Sequence, residues 1–283
     1  YVPPQSGQDG IVTIAVVEGK IASVKVSGAK RLSEQRIKDA LPALVPGETP
    51  RISHIDAQLR MANENPSRQL QLLLQPGQRP GEAEARIAVE EQPVQRVTVG
   101  LDNTGNARTG DYRASLGWQH ADLTGRDDVL SAQLQTSPTE PKLVKVFSSG
   151  YRLPLYRQRM ALDVFAGYSD VEGGATQTIA GDLNFNGRGR VLGTRAGWYL
   201  ARWGEFDQRV SLGLDHRAYL NRCTIAGLGS GVCGPAGESV TVHPLSLEYS
   251  AQAGGPASLG LSVSLNGNLR LGGQNTSASH FEA

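Results

Sequence analysis

The chain has 283 residues and a formal net charge of +1 at pH 7, with 28 Lys and Arg against 27 Asp and Glu. So balanced a surface offers no field for nucleic acid or an acidic substrate. It contains no run of about 18 apolar residues, which excludes a membrane-spanning helix but not a transmembrane barrel, whose strands alternate and keep hydropathy low. Its 34 glycines suit many strands and turns better than a helical bundle.

Taken in chain order, "GIVTIAVVEGKIASVKVSGAKRL" holds two strands, Ile11 to Glu18 and Ile21 to Ser27, parted by Gly19-Lys20. Ser33 caps a helix through "EQRIKDALPAL", with Ile37, Ala40, Leu41 and Leu44 at helical spacing, and Pro42 bends or ends it early. A second helix lies in "ISHIDAQLRMANENP", where Ile52, Ile55, Leu59 and Ala62 line one face and Pro66 stops the run. A hairpin, "RQLQLLLQPGQRPGEAEARIAVEE", follows. Leu70, Leu72 and Leu74 share an apolar face with Ala83, Ala85, Ile87 and Val89, and the two prolyl-glycines make a loop wider than two residues. From residue 21 the order is strand, helix, helix, strand, strand. The two helices are the available cover for the hairpin's apolar face, giving a small α+β module.

After residue 94 nearly everything alternates. "DYRASLGWQH", "VLSAQLQT", "MALDVFAGYS", "VSLGLDHRAYL", "PLSLEYSAQ" and "SLGLSVSLNG" are representative, and about ten such segments of about 8 to 14 residues fit tilted membrane strands. Short turns, "LTGRDD", "LYRQR" and "WGEFD", alternate with longer loops, "SPTEPK", "VEGGATQ" and a cysteine loop, as in an outer-membrane barrel. A soluble β-sandwich also alternates, but its strands are typically about 5 to 6 residues and its outer faces richer in Lys and Glu. On the polar faces, Arg113, Asp163, Arg195, Asp215, Arg217 and Glu248 are the pore-lining candidates, charges that pair in a wet lumen. Tyr112, Tyr168, Trp198 and Tyr249 suit an aromatic girdle. The two cysteines, Cys223 and Cys233, flank a Gly-rich stretch. A disulfide closing it is preferred over two separate thiols and implies an oxidising compartment, whereas no clustered third or fourth ligand supports a metal.

Catalytic constellations are missing. The five histidines, His54, His120, His216, His243 and His280, are scattered, and neither H-E-x-x-H nor G-x-S-x-G occurs. "GLGSG" at 227–231 lacks the Lys, strand and helix of a phosphate loop. The expectation is a protein that is not an enzyme, takes no cofactor and works by binding and passage.

"YVPPQ", "VVEGKIASVKVSGA", "NENPSRQLQLLLQPGQRPGEAEARIAVEEQP" and "GLDNTGNARTGDYRASLGWQHADLTGRDD", in that order, resemble the two-partner-secretion transporters of the ShlB/FhaC/HecB type. The resemblance covers essentially the whole chain, and its most specific parts are the "NP...PG..PG" hairpin and "DN.G...TG.YR". It implies the end of a preceding polypeptide-transport-associated (POTRA) domain and linker at 1–20, a periplasmic POTRA domain of β-α-α-β-β order at 21–93, and an antiparallel transmembrane β-barrel over 94–283. About ten of roughly sixteen family strands are found, and "GRGR" at 187–190 does not match the family's "VRGY", so a fragment is expected. The implied function is passage of a large exoprotein across the outer membrane, its N-terminal secretion domain engaged first by the POTRA domain. A barrel-assembly factor and a passive porin-like barrel are the alternatives. The implied partners are that exoprotein and outer-membrane lipid. POTRA-like topology leaves the strand at 68–75 outermost, making Arg68, Gln69, Gln71, Leu73 and Gln75 the client-binding candidates, by β-augmentation.

Overall fold

A computed structural model describes residues 19–178, 181–225, 238–254 and 258–273. The expected strand Ile11–Glu18, the Cys223–Cys233 disulfide with its loop, and His280 lie outside the described residues.

The first part is an α+β module. Its strands are β1 (Lys20–Ser27), β2 (Arg68–Pro76) and β3 (Glu82–Glu91), and its helices α1 (Glu34–Asp39) and α2 (Ile52–Asn63). The sheet order is β1-β3-β2, with β1 parallel and β2 antiparallel to β3. The register places Leu70 opposite Val89, Leu72 opposite Ile87 and Leu74 opposite Ala85, the one-faced hairpin read from the alternation. Ser33 caps α1 by accepting from the Arg36 N–H at 3.4 Å. The helix ends at Asp39 because Leu41, preceding Pro42, is steered out of the helical region. Ile37, Leu41, Ile55, Ala62, Leu70, Ala85 and Ile87 form a dry core between helices and sheet.

One face assignment in α2 changes. Ile52, the first residue of the helix, is 59% exposed. Ala57 and Met61 are buried instead, against Ala161 and Tyr199 of the following sheet and Tyr156 of one of its turns. α2 is thus buried on two sides, one toward its own strands and one toward its neighbour.

The second part is one antiparallel sheet. Its strands are β4 (Gln95–Asp102), β5 (Arg113–His120), β6 (Val129–Thr136), β7 (Val144–Leu155), β8 (Met160–Thr178), β9 (Gly181–Tyr199), β10 (Phe206–Ile225), β11 (Val240–Val242), β12 (Pro244–Ala253) and β13 (Leu259–Asn268). Each pairs with its sequence neighbour along the path β4 to β10, then β12 and β13, with β11 beside β10. β11 and β12 share one register on β10 but are separated at His243 by Pro244, which has no N–H for the ladder.

The stretch 171–177, expected to be a loop because of Gly173-Gly174, is strand. β8 pairs with β9 out to Thr178 opposite Gly181, and a register shift between Glu172 and Gly174 absorbs the extra residue as a bulge. The turns at Leu123–Asp128, Tyr156–Gln158 and Trp203–Phe206 form where expected.

The two faces of this sheet differ. Val99, Leu116, Leu134, Phe147 and Tyr168 are successive cross-strand partners, an unbroken apolar row over five strands. Val99 is 78% and Leu134 54% exposed, and Leu192, Leu212, Leu247 and Val263 continue the exposed apolar face. The opposite face carries Ser115, Gln133, Ser148, Asp163, Arg195 and Asp215.

The two-sided burial of α2 predicts an asymmetry. Ala57→Leu overpacks the contact with Tyr199 and costs about 1–3 kcal/mol, whereas Ile52→Ser changes stability by less than about 0.5 kcal/mol. Urea titration of the folded chain measures both.

Candidate functional site

The site is built from a strand edge, a buried junction and a charged wall. The edge belongs to β2. Ser67 C=O and Gly77 N–H bond to Gln92 and Glu82 across the hairpin, so odd-numbered residues of β2 turn their backbone toward β3. Even-numbered residues turn theirs outward. At Leu70 both outward groups are taken: its N–H donates to Asn63 Oδ1 at 2.7 Å, and its C=O accepts from Asn63 Nδ2 at 2.9 Å. Pro76 has no N–H. Between them, the N–H and C=O of Leu72 and Leu74 have no partner among the described residues. The sheet's other edge is occupied at Ile21, whose N–H and C=O bond to Glu48 and Gly47.

Of the candidate client-binding side chains, Gln69, Gln71 and Leu73 are exposed on the solvent face and Gln75 is half-buried. Their backbone groups face β3, so the pairing groups of this edge are those of Leu72 and Leu74. Arg68 leaves the set: its side chain is fully buried.

Arg68 is the centre of the junction. Its Nη1 and Nη2 donate to Asp127 Oδ1 at 2.9 Å and Oδ2 at 2.6 Å, a two-pronged ion pair out of water. The Tyr156 hydroxyl accepts from Arg68 at 2.9 Å and donates to Asp127 at 3.0 Å. Arg36 joins from α1, donating to both oxygens of Asp122 at 2.7 Å and to Asp127 at 3.0 Å. Asn65 donates to the Ala121 and Asp127 carbonyls at 2.8 and 3.0 Å. The two asparagines of "NENP" thus have separate tasks, Asn63 on the edge and Asn65 on the turn. Asp127 has φ +61°, a left-handed conformation that Asp tolerates better than most residues, and its backbone N–H is held by Asp122 Oδ1 at 3.1 Å. The Arg36 guanidinium holds the Asp122 carboxyl below its usual range, and burial pushes the Tyr156 hydroxyl up.

The wall charges come next. Asp163 binds Arg152 at 3.1 Å and Arg209 at 3.5 Å, and Asp215 binds Arg195 at 2.9 Å and Arg217 at 2.7 Å. Asp163, Arg195, Asp215 and Arg217 therefore share a face, with Glu248 on the same side opposite Ser211. Arg113 stands apart, donating to Gly110 C=O at 2.8 Å and Thr109 Oγ1 at 2.6 Å, so it ties its own loop. That loop is the "DN.G...TG.YR" motif. Gly110 has φ +84°, and a Cβ there would lie 2.2 Å from Ser137 Oγ. Arg152 and Arg209 escaped the sequence reading, since their partner is set by register across strands. Arg152 also binds Glu64 at the end of α2, and Glu64 accepts from Tyr199. Arg60, Asn63 and Glu64 of the module and Tyr199, Arg209 and Gln252 of the wall line one cavity of about 450 Å³. Edge, junction and wall are contiguous.

Removing Arg68 takes from Asp127 its two-pronged partner and leaves it only Arg36 and the Tyr156 hydroxyl. Arg68→Met is expected to cost about 3–5 kcal/mol in urea unfolding, and adding Asp127→Asn to recover part of that loss. The lowered pKa of Asp122 contributes stability that is full above the ordinary Asp value of about 3.9 and is lost as pH falls through the folded value. Unfolding midpoints measured from pH 7 down to pH 3 should therefore stay level above about pH 5 and drop below about pH 4, and Asp122→Asn should flatten the drop.

Comparison with known proteins agrees with this architecture. The model of the haemolysin secretion/activation protein family ShlB/FhaC/HecB matches residues 81–227, just over half of the chain. The heme/hemopexin transporter protein HuxB of Haemophilus influenzae is 26% identical over 137 residues, covering 48% of this chain and 24% of HuxB. CdiB from Escherichia coli superposes with a TM-score of 0.78 at 18% identity, over 98% of this chain and 50% of that one. CdiB from Acinetobacter baumannii gives 0.70 at 16%, over 95% and 49%. The chain thus spans about half the length of the CdiB chains and about a quarter of HuxB. By the family match over its module-to-sheet segment, together with the fold shared with CdiB, the chain belongs to the ShlB/FhaC/HecB family of haemolysin secretion/activation proteins.

Proposed function

We propose that this chain serves two-partner secretion, passing a large exoprotein across the outer membrane. The module at 21–93 is a periplasmic POTRA domain, and the sheet after it is wall of a transmembrane β-barrel. The observation that carries the reading is the free edge at Leu72 and Leu74, held beside a wall with one polar and one exposed apolar face.

A client arriving unfolded carries unpaired backbone N–H and C=O groups, and an open strand edge satisfies them with little demand on sequence. The neighbouring glutamines, Gln69, Gln71 and Gln75, bring no charge. The apolar face suits lipid. Met160, Leu162, Val164, Ala166 and Tyr168 share it along β8, a rise of about 25 Å at roughly 3.3 Å per residue, close to the apolar band of an outer-membrane barrel before tilt. Trp118, Trp198 and Tyr249 stand toward the module end and Tyr112, Phe147 and Tyr168 toward the far end, as two aromatic girdles do. The polar face is then the lumen, lined by Asp163, Arg195, Asp215, Arg217 and Glu248, with Asp163 neutralised by Arg152 and Arg209 and Asp215 by Arg195 and Arg217. The same assignment puts the module in the periplasm and the turns it grips on the periplasmic rim.

Two outcomes are expected. Leu192→Arg, on the apolar face, costs about 2–4 kcal/mol of insertion stability, whereas Ser148→Arg on the polar face costs far less; both are measured by refolding into lipid vesicles. Deletion of the gene removes one very large protein from the culture medium by mass spectrometry, and the intact gene restores it. An unchanged medium with a loss of other outer-membrane barrels would instead indicate an assembly factor.

A further inference from the structure

The free edge of β2 is bounded, and its two ends are closed by different means. At the far end Pro76 lacks an N–H. At the end nearest the wall, Asn63 presents an acceptor and a donor to the outward N–H and C=O of Leu70, as the backbone of a paired strand would. Asn63 comes from the last residue of α2, whose position is set by burial of Ala57 and Met61 against the wall and by the ion pairing of Glu64, the next residue. The carboxamide is therefore placed both by its two bonds to Leu70 and by the packing of α2 against the wall.

We propose that Asn63 is a register stop: it ends strand addition at Leu70, so that an incoming strand pairs at Leu72 and Leu74 and leaves the edge there. This deepens the receiving-edge reading and rests on it. The partner is an extended segment contributing backbone groups, with four bonds available, from the N–H and C=O of each leucine. Asn63 also lines the cavity of about 450 Å³ with Tyr199, Arg209 and Gln252. Beyond Leu70 the edge runs into the junction, where the Arg68 side chain is buried against Asp127.

The test places a photoreactive amino acid singly at Gln69, Gln71, Leu73 and Gln75 of the full-length transporter and supplies the exoprotein's N-terminal secretion domain. In the otherwise unchanged protein, cross-links are expected from 71, 73 and 75, with that at 69 at least tenfold weaker. Asn63→Ala, which frees Leu70, is expected to raise the cross-link at 69 to the level of 71. Asn63→Asp keeps the acceptor for the Leu70 N–H and loses the donor, so it gives an intermediate gain; if Asn63→Ala fails to fold, this variant decides. A strong cross-link at 69 without any change at Asn63, or no gain at 69 while that at 73 persists, overturns the register stop and leaves the receiving edge standing. Loss of cross-linking at all four positions overturns the receiving edge and the stop with it.

Discussion

The buried pair between Arg68 and Asp127 determines where everything else lies. Arg68 opens the edge strand of the module, and Asp127 sits in the turn between the second and third strands of the wall, 59 residues later. Taking both charges out of water is costly, and the cost is offset because each is bonded on both prongs and the Tyr156 hydroxyl bridges them, although the buried Arg68 Nε has no partner among the described residues. Arg36 and Asp122 extend the pair outward, and Asn65 fixes the turn's carbonyls. A module held by several directional bonds has one orientation, and that orientation brings β2 and the end of α2 to the rim.

The wall obeys a second constraint. In hydrocarbon every backbone group must be bonded within the protein, and neighbour-to-neighbour antiparallel pairing achieves this for each internal strand. The side chains then divide by parity alone. One parity gives the apolar row from Val99 to Tyr168; the other gives alternating Asp and Arg on facing strands. The bulge at Glu172 and the break at Pro244 fall toward the end of the strands away from the module, where long-strand pairing is not needed to bury backbone from lipid. The module differs. Its core is sealed, yet on the edge of β2 the backbone groups of Leu70 are taken by Asn63 while those of Leu72 and Leu74 have no partner among the described residues.

Much of this was legible because period and parity are local. The pairing of Leu70, Leu72 and Leu74 with Val89, Ile87 and Ala85 follows from alternation on both sides of a turn. The ends of α1 and α2 follow from Ser33, Pro42 and Pro66. What could not be read depends on docking. Arg68 looked like an exposed edge residue because nothing near it in sequence announces Asp127. Ala57 and Met61 lie off the helix face read from the sequence, because an apolar stripe toward the wall makes sense only once the wall is there. Arg152 and Arg209 pair with Asp163 through a register that spans four strands, β7 to β10, and Arg113 looked like a wall charge although it serves its own loop. The glycines at 173–174 suggested a loop, but a paired ribbon took them up as a bulge.

Residue-resolved amide hydrogen exchange on the protein, without and with the secretion domain of the exoprotein proposed as its client, tests the central claim most directly. In the free protein the Leu70 amide should be protected by Asn63, while those of Leu72 and Leu74 exchange freely. With the secretion domain present, Leu72 and Leu74 should become protected, and Leu70 should be unchanged. Protection of Leu72 and Leu74 before any client is added, or no change on adding it, would contradict the account of β2 as the edge that receives the secreted chain.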